Sequence, residues 1–268
     1  MVEATALQRA DAGAGAGAAP LLRASALTRR FGGLTAVNAV TLDWHLGEVH
    51  AVIGTNGAGK STLINMLSGE MPASSGTIHL AGQDITLWSQ PRRAQAGVGR
   101  SYQRTTIFPE FSVLENCRLC AQAAMPRAWA VWQAAQRCEQ SLAAATDALR
   151  EAGLSAAAAQ TAGTLSHGGK RQLEIAMCLA TRPQVLLLDE PLAGMGAEES
   201  DRMLALLAAL KRTHAVLLVE HDMDAVFRIA DRITVMVNGE VIASDVPERI
   251  RNNRDVQVAY LGDADGAH

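Results

Sequence analysis

Two kinds of apolar pattern predict the strands of this chain. Residues 185–188 and 215–219 are apolar at every position, which is typical of parallel strands covered on both faces. Residues 21–46 and 76–87 instead hold short strand-like runs interrupted by turn residues, and this pattern predicts a small, mostly antiparallel sheet. The dipeptide Asn238-Gly239 joins two further apolar runs and predicts a hairpin with a type I′ turn.

Apolar residues at helical spacing predict the helices. Residues 113–150 are rich in alanine, with Leu, Cys and Met at helical spacing and charged residues between them. They predict a helical part that is broken near Pro126. Residues 170–179 and 200–211 have helical patterns too, and each precedes one of the apolar strands. This order predicts an α/β fold with a helical subdomain at about residues 90–165.

The N-terminal segment has a different character. Residues 11–20 read D-A-G-A-G-A-G-A-A-P, and such a low-complexity tract cannot bury enough apolar surface to offset the entropy of ordering it. We therefore expect residues 1–20 to be a disordered tail, residues 21–262 to form the folded domain, and residues 263–268 to be a flexible C-terminus.

Composition argues against several classes of function. Of the 268 residues, 49% are apolar and 19% are charged, as is ordinary for a soluble globular protein. The net charge of −3 argues against nucleic-acid binding. The sequence has no run of roughly 18 apolar residues, as a membrane span requires, and no signal-peptide pattern, so we expect a cytoplasmic protein. The four cysteines predict reduced thiols rather than a disulfide framework.

Residues 54–61, G-T-N-G-A-G-K-S, fit the phosphate-binding pattern G-x-x-x-x-G-K-[ST]. Residues 48–53 predict a strand before this loop, and residues 61–67 predict a helix whose N-terminus would face the anion. The glycines let successive backbone N–H groups surround the phosphates, while Lys60 reaches phosphate oxygens and Ser61 supplies an oxygen to Mg²⁺. The predicted nucleotide-binding residues here are Gly54, Asn56, Gly57, Gly59, Lys60, Ser61 and Thr62.

Asp189 and Glu190 stand directly after the apolar run 185–188. An acidic pair at the end of a buried strand, downstream of a phosphate-binding loop, suits phosphoryl transfer, which depends on positioning and on neutralising charge. The alternative is a chance loop match beside a solvated acid, and it becomes minor when both features occur together. The sequence therefore predicts a protein that binds ATP and is equipped to hydrolyse it.

Residues 165–173, L-S-H-G-G-K-R-Q-L, resemble the LSGGQ signature of ATP-binding cassette (ABC) ATPases. The resemblance extends to His221, at the position of the family's switch histidine, and to Gln103, at the position of its Q-loop glutamine. Four motifs in the family's order cover residues 22–262. The resemblance implies a P-loop NTPase fold, in which a RecA-like parallel sheet core carries an antiparallel β subdomain and an α-helical subdomain.

Three further segments resemble one subgroup of the family: residues 30–37, R-F-G-G-L-T-A-V, residues 173–176, L-E-I-A, and the ending at residues 250–262. The subgroup comprises ATPase subunits of branched-chain and hydrophobic amino acid importers, whose relatives take up amides and urea. It implies two transmembrane permease subunits, a second ABC ATPase and an external solute-binding protein as partners. It also implies a peripheral location on the cytoplasmic face of the inner membrane.

The resemblance also implies roles for single residues in binding. Ser166 and the backbone N–H of Gly168 would contact the γ-phosphate of ATP held by a second subunit, although Ser166 also suits a plain N-cap. Phe31 would stack on adenine, or else pack in the core. Gln103 would bind Mg²⁺ and join the nucleotide site to the transporter contact. Phe108 and Phe111 would line a groove for a permease helix or pack in the helical lobe.

The implied catalytic residues are Lys60, Glu190 and His221. Glu190 would act as the general base that orients the attacking water, and His221 would hold Glu190 and the γ-phosphate in register. Asp189, together with Ser61 and Gln103, would hold Mg²⁺.

Some positions depart from the family pattern. Thr55 stands where the family usually has proline, His167 replaces the first signature glycine, and Gly169 replaces its glutamine. We expect the His167 side chain to crowd the opposite nucleotide. Gly196 replaces the aspartate that couples the two ATP sites, so we expect pairing with a distinct second ATPase, with a homodimer as the alternative.

Two other functions remain open from the sequence. One is the ATPase of an exporter, such as a lipopolysaccharide-extracting ATPase, which looks similar over the same motifs. The other is a soluble ABC ATPase acting on DNA or ribosomes, which the missing coiled coil, the single cassette and the lack of basic charge disfavour.

Overall fold

A computed structural model describes residues 19–102, 106–125 and 139–261. The ten strands in these ranges are β1 (Leu22–Phe31), β2 (Leu34–Trp44), β3 (Val49–Gly54), β4 (Ser75–Leu80), β5 (Gln83–Asp84), β6 (Val98–Arg100), β7 (Val185–Asp189), β8 (Ala215–Val219), β9 (Arg232–Val237) and β10 (Glu240–Asp245). The nine α-helices in the same ranges are α1 (Lys60–Ser68), α2 (Gln90–Gln95), α3 (Val113–Ala124), α4 (Glu139–Glu151), α5 (His167–Ala180), α6 (Ala197–Leu210), α7 (Met223–Ile229), α8 (Pro247–Arg251) and α9 (Arg254–Leu261). Within the described ranges, no helix combines the length and apolar character that crossing a membrane requires.

The central sheet has the strand order β10-β9-β3-β8-β7-β6. All neighbouring pairs from β9 to β6 are parallel, and only β10 runs antiparallel to its neighbour β9. Every residue of β7 and β8 is buried, as expected for parallel strands that are covered on both faces. Because β3, β7 and β8 run the same way, the loops after them meet at one edge of the sheet.

A second sheet, with the order β2-β1-β4-β5, is antiparallel throughout. Its buried side chains, Trp44 among them, share a hydrophobic core with α1 and with one face of the central sheet. The other face of the central sheet packs with side chains of α3, α4, α5, α6 and α7. The predicted α/β architecture with an antiparallel sheet and a helical part is confirmed.

Helices α3, α4 and α5 pack closely because their contact surfaces carry small residues. Cys117 and Ala121 of α3 and Ala145 and Ala148 of α4 are fully or almost fully buried in the same core as α5. Burial raises the pKa of the Cys120 thiol to about 11. Among the described residues, Cys117, Cys120 and Cys178 are free cysteines.

The predicted hairpin at Asn238-Gly239 is confirmed as the turn between β9 and β10. Asn238 has φ 49° and Gly239 has φ 84°, the two positive values that a type I′ turn requires. The Gly239 N–H donates to the carbonyl of Ala58 at 3.0 Å. This turn therefore also fixes the phosphate-binding loop.

Helix boundaries differ from the sequence prediction mainly at N-termini. The helix predicted from 170 begins at His167, and the helix predicted from 200 begins at Ala197. In α5 the earlier start has a local cause, because the Ser166 hydroxyl caps the helix. Residues 1–18 of the tail predicted at residues 1–20, the predicted break near Pro126 and the C-terminus predicted to be flexible at residues 263–268 lie outside the described residues.

Candidate active site

The loop between β3 and α1 follows a path that only glycine allows at two positions. A Cβ atom on Gly54 would lie 2.2 Å from the carbonyl oxygen of Met236, and one on Gly59 would lie 2.3 Å from that of Ala36. Gly57 and Gly59 also have left-handed φ values of 79° and 100°. The loop is thus pressed against β9 and β2, and it leads into α1, whose first N–H groups have no intrahelical partner. Such a helix start favours an anion.

The Lys60 side chain turns back into this loop. Its ammonium donates to the carbonyl oxygens of Gly54 at 2.6 Å and of Thr55 at 3.0 Å. Burial lowers the pKa of Lys60, while the nearby carboxylates of Glu190 and Asp189 act in the opposite direction. The ammonium is therefore held where it can meet phosphate oxygens on one side and the acidic strand end on the other.

Asp189 is the last residue of β7 and is 3% exposed. Its Oδ2 lies 3.8 Å from an Arg100 guanidinium nitrogen, while its Oδ1 is buried without a hydrogen-bond partner. Burial raises the pKa of Asp189, and Arg100 is the main charge that lowers it. A buried carboxylate oxygen with no partner is costly, unless it receives a cation.

The residues at this edge fit a bound Mg²⁺. Asp189 supplies a partnerless carboxylate oxygen, and Ser61 stands in the first turn of α1. Mg²⁺ is commonly held by one or two protein oxygens together with waters and substrate phosphates. Among the described residues, no group of three or more His, Cys, Asp or Glu side chains is placed to hold a metal ion.

Glu190 follows Asp189 in a strained conformation. Its φ of 49° is in the left-handed region, which typically costs about 1–3 kcal/mol for a residue other than glycine. The Glu190 N–H donates to the carbonyl oxygen of Val219 in β8 at 2.9 Å, and the Glu190 carbonyl accepts from the Ala193 N–H at 3.2 Å. These bonds keep the chain in a tight turn immediately after the strand.

His221 meets Glu190 from the neighbouring strand end. The His221 Nδ1 lies 3.8 Å from Glu190 Oε1, and the imidazole is 65% exposed. The same Nδ1 lies 3.9 Å from Oε2 of the buried Glu220 carboxylate. Because β7 and β8 are adjacent and parallel, the chain places an acid and an exposed imidazole side by side at the same edge.

The signature segment forms the start of α5. Ser166 is the N-cap, and its hydroxyl accepts from the Gly169 N–H at 3.1 Å and donates to Glu199 Oε1 at 2.9 Å. The His167 Nε2 lies 3.0 Å from the carbonyl oxygen of Ala193. His167 and Ser166 thus attach the signature to the loop after Glu190 and to α6.

Gly168 shows how close these segments approach. A Cβ atom at this position would lie 2.6 Å from the Glu199 carboxyl carbon, so a larger residue would displace that side chain. His167, in turn, lies against Gly194, where a Cβ atom would be 3.1 Å from its Nε2. The contacts of the His167 ring are therefore within the subunit. Whether this side chain crowds an opposite nucleotide, as the sequence led us to expect, stays a prediction.

Other predicted site residues lie elsewhere. Phe31 ends β1, is 43% exposed, and has the Arg29 guanidinium 4.7 Å from its ring centroid. Phe108 and Phe111 are exposed and stack with their centroids 5.7 Å apart. Gln103 lies outside the described residues, so its predicted contact with the nucleotide and Mg²⁺ stays a prediction.

Four predicted residues gather at one edge of the central sheet: Lys60, Asp189, Glu190 and His221. Two further residues at this edge are not predicted from the sequence. Arg100 donates to Glu70 at 2.6 Å and faces Asp189, and Glu220 lies next to His221. The only signal for Arg100 is a charged residue at the end of a short apolar strand, and Glu220 stands unremarked between a strand and a histidine. The roles of Arg100 and Glu220 in the site depend on contacts with residues that are distant in sequence.

Comparison with known proteins identifies the family of this chain. The ABC transporter family matches residues 37–193, and the branched-chain amino acid ATP-binding cassette transporter family matches residues 240–266. The chain is 41% identical to BraF of Pseudomonas aeruginosa, a high-affinity branched-chain amino acid transport ATP-binding protein, over 91% of this chain and 99% of that protein. It is 40% identical to LivG of Escherichia coli, which has the same description, over the same shares.

Solved structures of ABC cassettes have the same fold. A nucleotide-free ATP-binding cassette from an ABC transporter superposes with a TM-score of 0.81 at 29% identity, over 90% of this chain and 99% of that one. The ADP conformation of an ABC transporter cassette gives the same TM-score and identity, over 91% and 100%. The chain therefore belongs to the ABC transporter family, as an ATP-binding cassette whose ATP hydrolysis is coupled to transport.

Proposed function

We propose that this chain is the ATP-hydrolysing subunit of an importer for branched-chain or other hydrophobic amino acids. The observation that carries the proposal is the match of residues 240–266 to the branched-chain amino acid cassette family. This segment lies beyond the motifs that bind and hydrolyse nucleotide. Similarity to BraF and LivG over 91% of the chain supports the same solute class.

Nucleotide binding begins at the loop between β3 and α1. Backbone N–H groups of the loop and the first turn of α1 surround the phosphates, and the Lys60 ammonium meets their oxygens. Ser61 and Asp189 would hold Mg²⁺, which when bound neutralises charge that develops on the phosphates. Phe31, at the end of β1, is the candidate for contact with the adenine.

Hydrolysis uses the pair at the strand ends. Glu190 would accept a proton from the attacking water, and an acid or base positioned in this way contributes roughly 10²- to 10⁴-fold. His221 lies 3.8 Å from Glu190, close enough to hold its carboxylate and the γ-phosphate in register. The tight turn at Glu190 fixes the direction of that side chain.

Coupling to transport requires a second ATPase subunit. Ser166 and Gly168 of one subunit would contact the γ-phosphate bound to the other, because the start of α5 favours negative charge. ATP would then favour the closed pair and hydrolysis the open one, since the nucleotide binds the two forms with different affinity. The proposed assembly has two permeases and an external solute-binding protein, and it places this subunit on the cytoplasmic face of the inner membrane.

The proposal is tested by uptake of labelled leucine into cells that lack this gene. We expect the wild-type gene to restore leucine uptake and the Glu190→Gln variant to fail, because the variant retains nucleotide binding but lacks the base. Uptake of labelled arginine, a charged amino acid, is the control and should not change. Unchanged leucine uptake in the deletion strain would contradict the proposed solute class, and restoration by Glu190→Gln would contradict the role of the base.

A further inference from the structure

A buried carboxylate, that of Glu220, lies beside the site and takes no part in the proposed chemistry. Glu220, the residue after β8, is 1% exposed. Its Oε1 accepts from the Leu192 N–H at 2.9 Å, and its Oε2 accepts from the His221 N–H at 3.2 Å. Burial raises the pKa of Glu220, and these two hydrogen bonds are the main effects that lower it.

The two N–H groups belong to the two segments that carry the catalytic pair. Leu192 stands two residues after Glu190, inside the turn that gives Glu190 its φ of 49°. The other N–H belongs to His221 itself. One carboxylate thus bridges the loop after β7 and the loop after β8, across which Glu190 and His221 face each other at 3.8 Å.

The chemistry of the side chain explains why glutamate is needed here. An ionised carboxylate accepts hydrogen bonds on both oxygens, whereas an amide accepts on one end only and places N–H groups at the other. A glutamine would leave one of the two N–H groups facing a donor, and an apolar residue would leave both unpaired in the interior. Only an acid of this length satisfies both segments at once.

A strained residue keeps its conformation only when its surroundings hold it there. Hydrogen bonds that restrain the backbone of the Glu190 turn include the bond from Glu190 to Val219, the bond from Ala193 to Glu190, and the bond from Leu192 to Glu220. The third is the only one of these that also reaches His221, because the same carboxylate accepts both N–H groups.

We propose that Glu220 is a positioning residue for ATP hydrolysis, which holds the Glu190 turn and the His221 loop at a fixed separation. This inference rests on the proposed role of Glu190 as the base. Glu220 itself touches neither the water nor the phosphates. It acts by keeping the carboxylate and the imidazole aligned, and misplacement of a catalytic group by about 1 Å can cost about 100-fold in rate.

The test is steady-state ATP hydrolysis by the full chain carrying Glu220→Gln. We expect kcat to fall about 10- to 100-fold, while KM and the affinity for a non-hydrolysable ATP analogue stay within about twofold of wild type, because the Glu220 carboxylate bonds to the Leu192 and His221 N–H groups and to no group of the Lys60 loop in the described residues. Glu220→Asp keeps two acceptor oxygens on a shorter side chain, so its kcat should lie between those of Glu220→Gln and wild type. Titration with the analogue also gives the concentration of molecules that can bind nucleotide. The kcat is calculated per binding-competent molecule.

Asp231→Asn provides a matched control. Asp231 accepts the Val49 N–H at 2.9 Å and also binds Lys211, but it lies at the opposite edge of the central sheet. We expect this variant to be less stable, with an unchanged kcat per binding-competent molecule.

Three results decide the matter. A wild-type kcat in Glu220→Gln would overturn the inference, and so would a loss that disappears when kcat is calculated per analogue-binding molecule. If Glu220→Gln does not fold, the kcat of Glu220→Asp is the deciding measurement. A wild-type kcat in Glu220→Asp would then overturn the inference. Failure of Glu190→Gln to lower kcat would instead overturn the proposed function, so the two failures are distinguishable.

Discussion

The starts of α1 and α5, which we propose to contact phosphate, are built in different ways. The start of α1 is fixed by backbone contacts, because Gly54 and Gly59 lie against carbonyls where a Cβ atom would collide. The start of α5 is fixed by side chains, because Ser166 bonds to Glu199 and His167 bonds to the carbonyl of Ala193. The phosphate-binding loop before α1 keeps the family's sequence pattern apart from Thr55. The signature segment at the start of α5 departs from the family's pattern at His167 and Gly169.

This difference shows where a motif tolerates change. A backbone path defined by steric contact permits only glycine at the contact points, so its sequence pattern stays recognisable. A helix start held by side-chain contacts can exchange one contact for another, as His167 does with the loop after Glu190. The Glu199 carboxylate also lies against the start of α5, where the helix favours negative charge.

The largest expected effect is at Gly59. Gly59→Ala would place a Cβ atom 2.3 Å from the Ala36 oxygen at a φ of 100°, and we expect about 4 kcal/mol of lost stability together with loss of nucleotide binding. Urea unfolding and nucleotide titration measure the two effects. Gly57→Ala is the matched control, since its φ is 79° but the added Cβ meets nothing within 4 Å. It should lose only about 1–2 kcal/mol, and equal losses in the two variants would refute the steric account.

A smaller effect is expected where the signature contacts Gly194. Gly194→Ala would place a Cβ atom 3.1 Å from the His167 Nε2 at a φ of 75°, and we expect a loss of about 1–2 kcal/mol in the free energy of unfolding. When His167 is also replaced by alanine, the destabilisation caused by the clash with the imidazole should vanish. The destabilisation caused by the positive φ at residue 194 should remain. A double-mutant cycle should therefore give a coupling of about 0.5–1 kcal/mol, and a coupling of zero would show that the imidazole does not hold this loop.

The smallest effect on stability is expected at Ser166. Ser166→Ala removes the N-cap of α5 and should cost about 1 kcal/mol. Ser112→Ala is the control, because Ser112 caps α3 through the Glu115 N–H at 3.1 Å in the same way. Ser166→Ala should be destabilised at least as much as Ser112→Ala, because it also loses the bond to Glu199, and only Ser166→Ala should lower ATP hydrolysis in the assembled transporter. Equal hydrolysis rates would leave Ser166 as a cap alone.

Prediction from sequence worked where the cause is local. The type I′ turn at Asn238-Gly239 was predictable because two adjacent residues determine it. The two apolar strands 185–188 and 215–219 were predictable because burial on both faces leaves a continuous apolar pattern. The sequence pattern predicts the start of α5 three residues late, because the run H-G-G weakens the helical pattern, whereas the Ser166 cap lets the helix begin at His167.

Prediction failed where the partner is distant. The role of Glu220 depends on the hydrogen bonds that its oxygens accept from the N–H groups of Leu192 and His221, and Leu192 is 28 positions away. Arg100 gains its role from Asp189, which lies on the neighbouring strand β7. A charged residue beside an apolar strand gives no sign, in the sequence, of which group it will meet.

By itself the sequence determined the chemistry of the site, because the phosphate-binding loop and the acidic strand end are contiguous segments whose residue types and spacing are set by their ligands. The tertiary structure alone decided their alignment. It placed Glu190 within 3.8 Å of His221, and it buried one carboxylate where it bonds to both loops. The physical reason is that parallel strands bring the ends of distant segments to one edge of a sheet, and the contacts made there depend on which strands are neighbours.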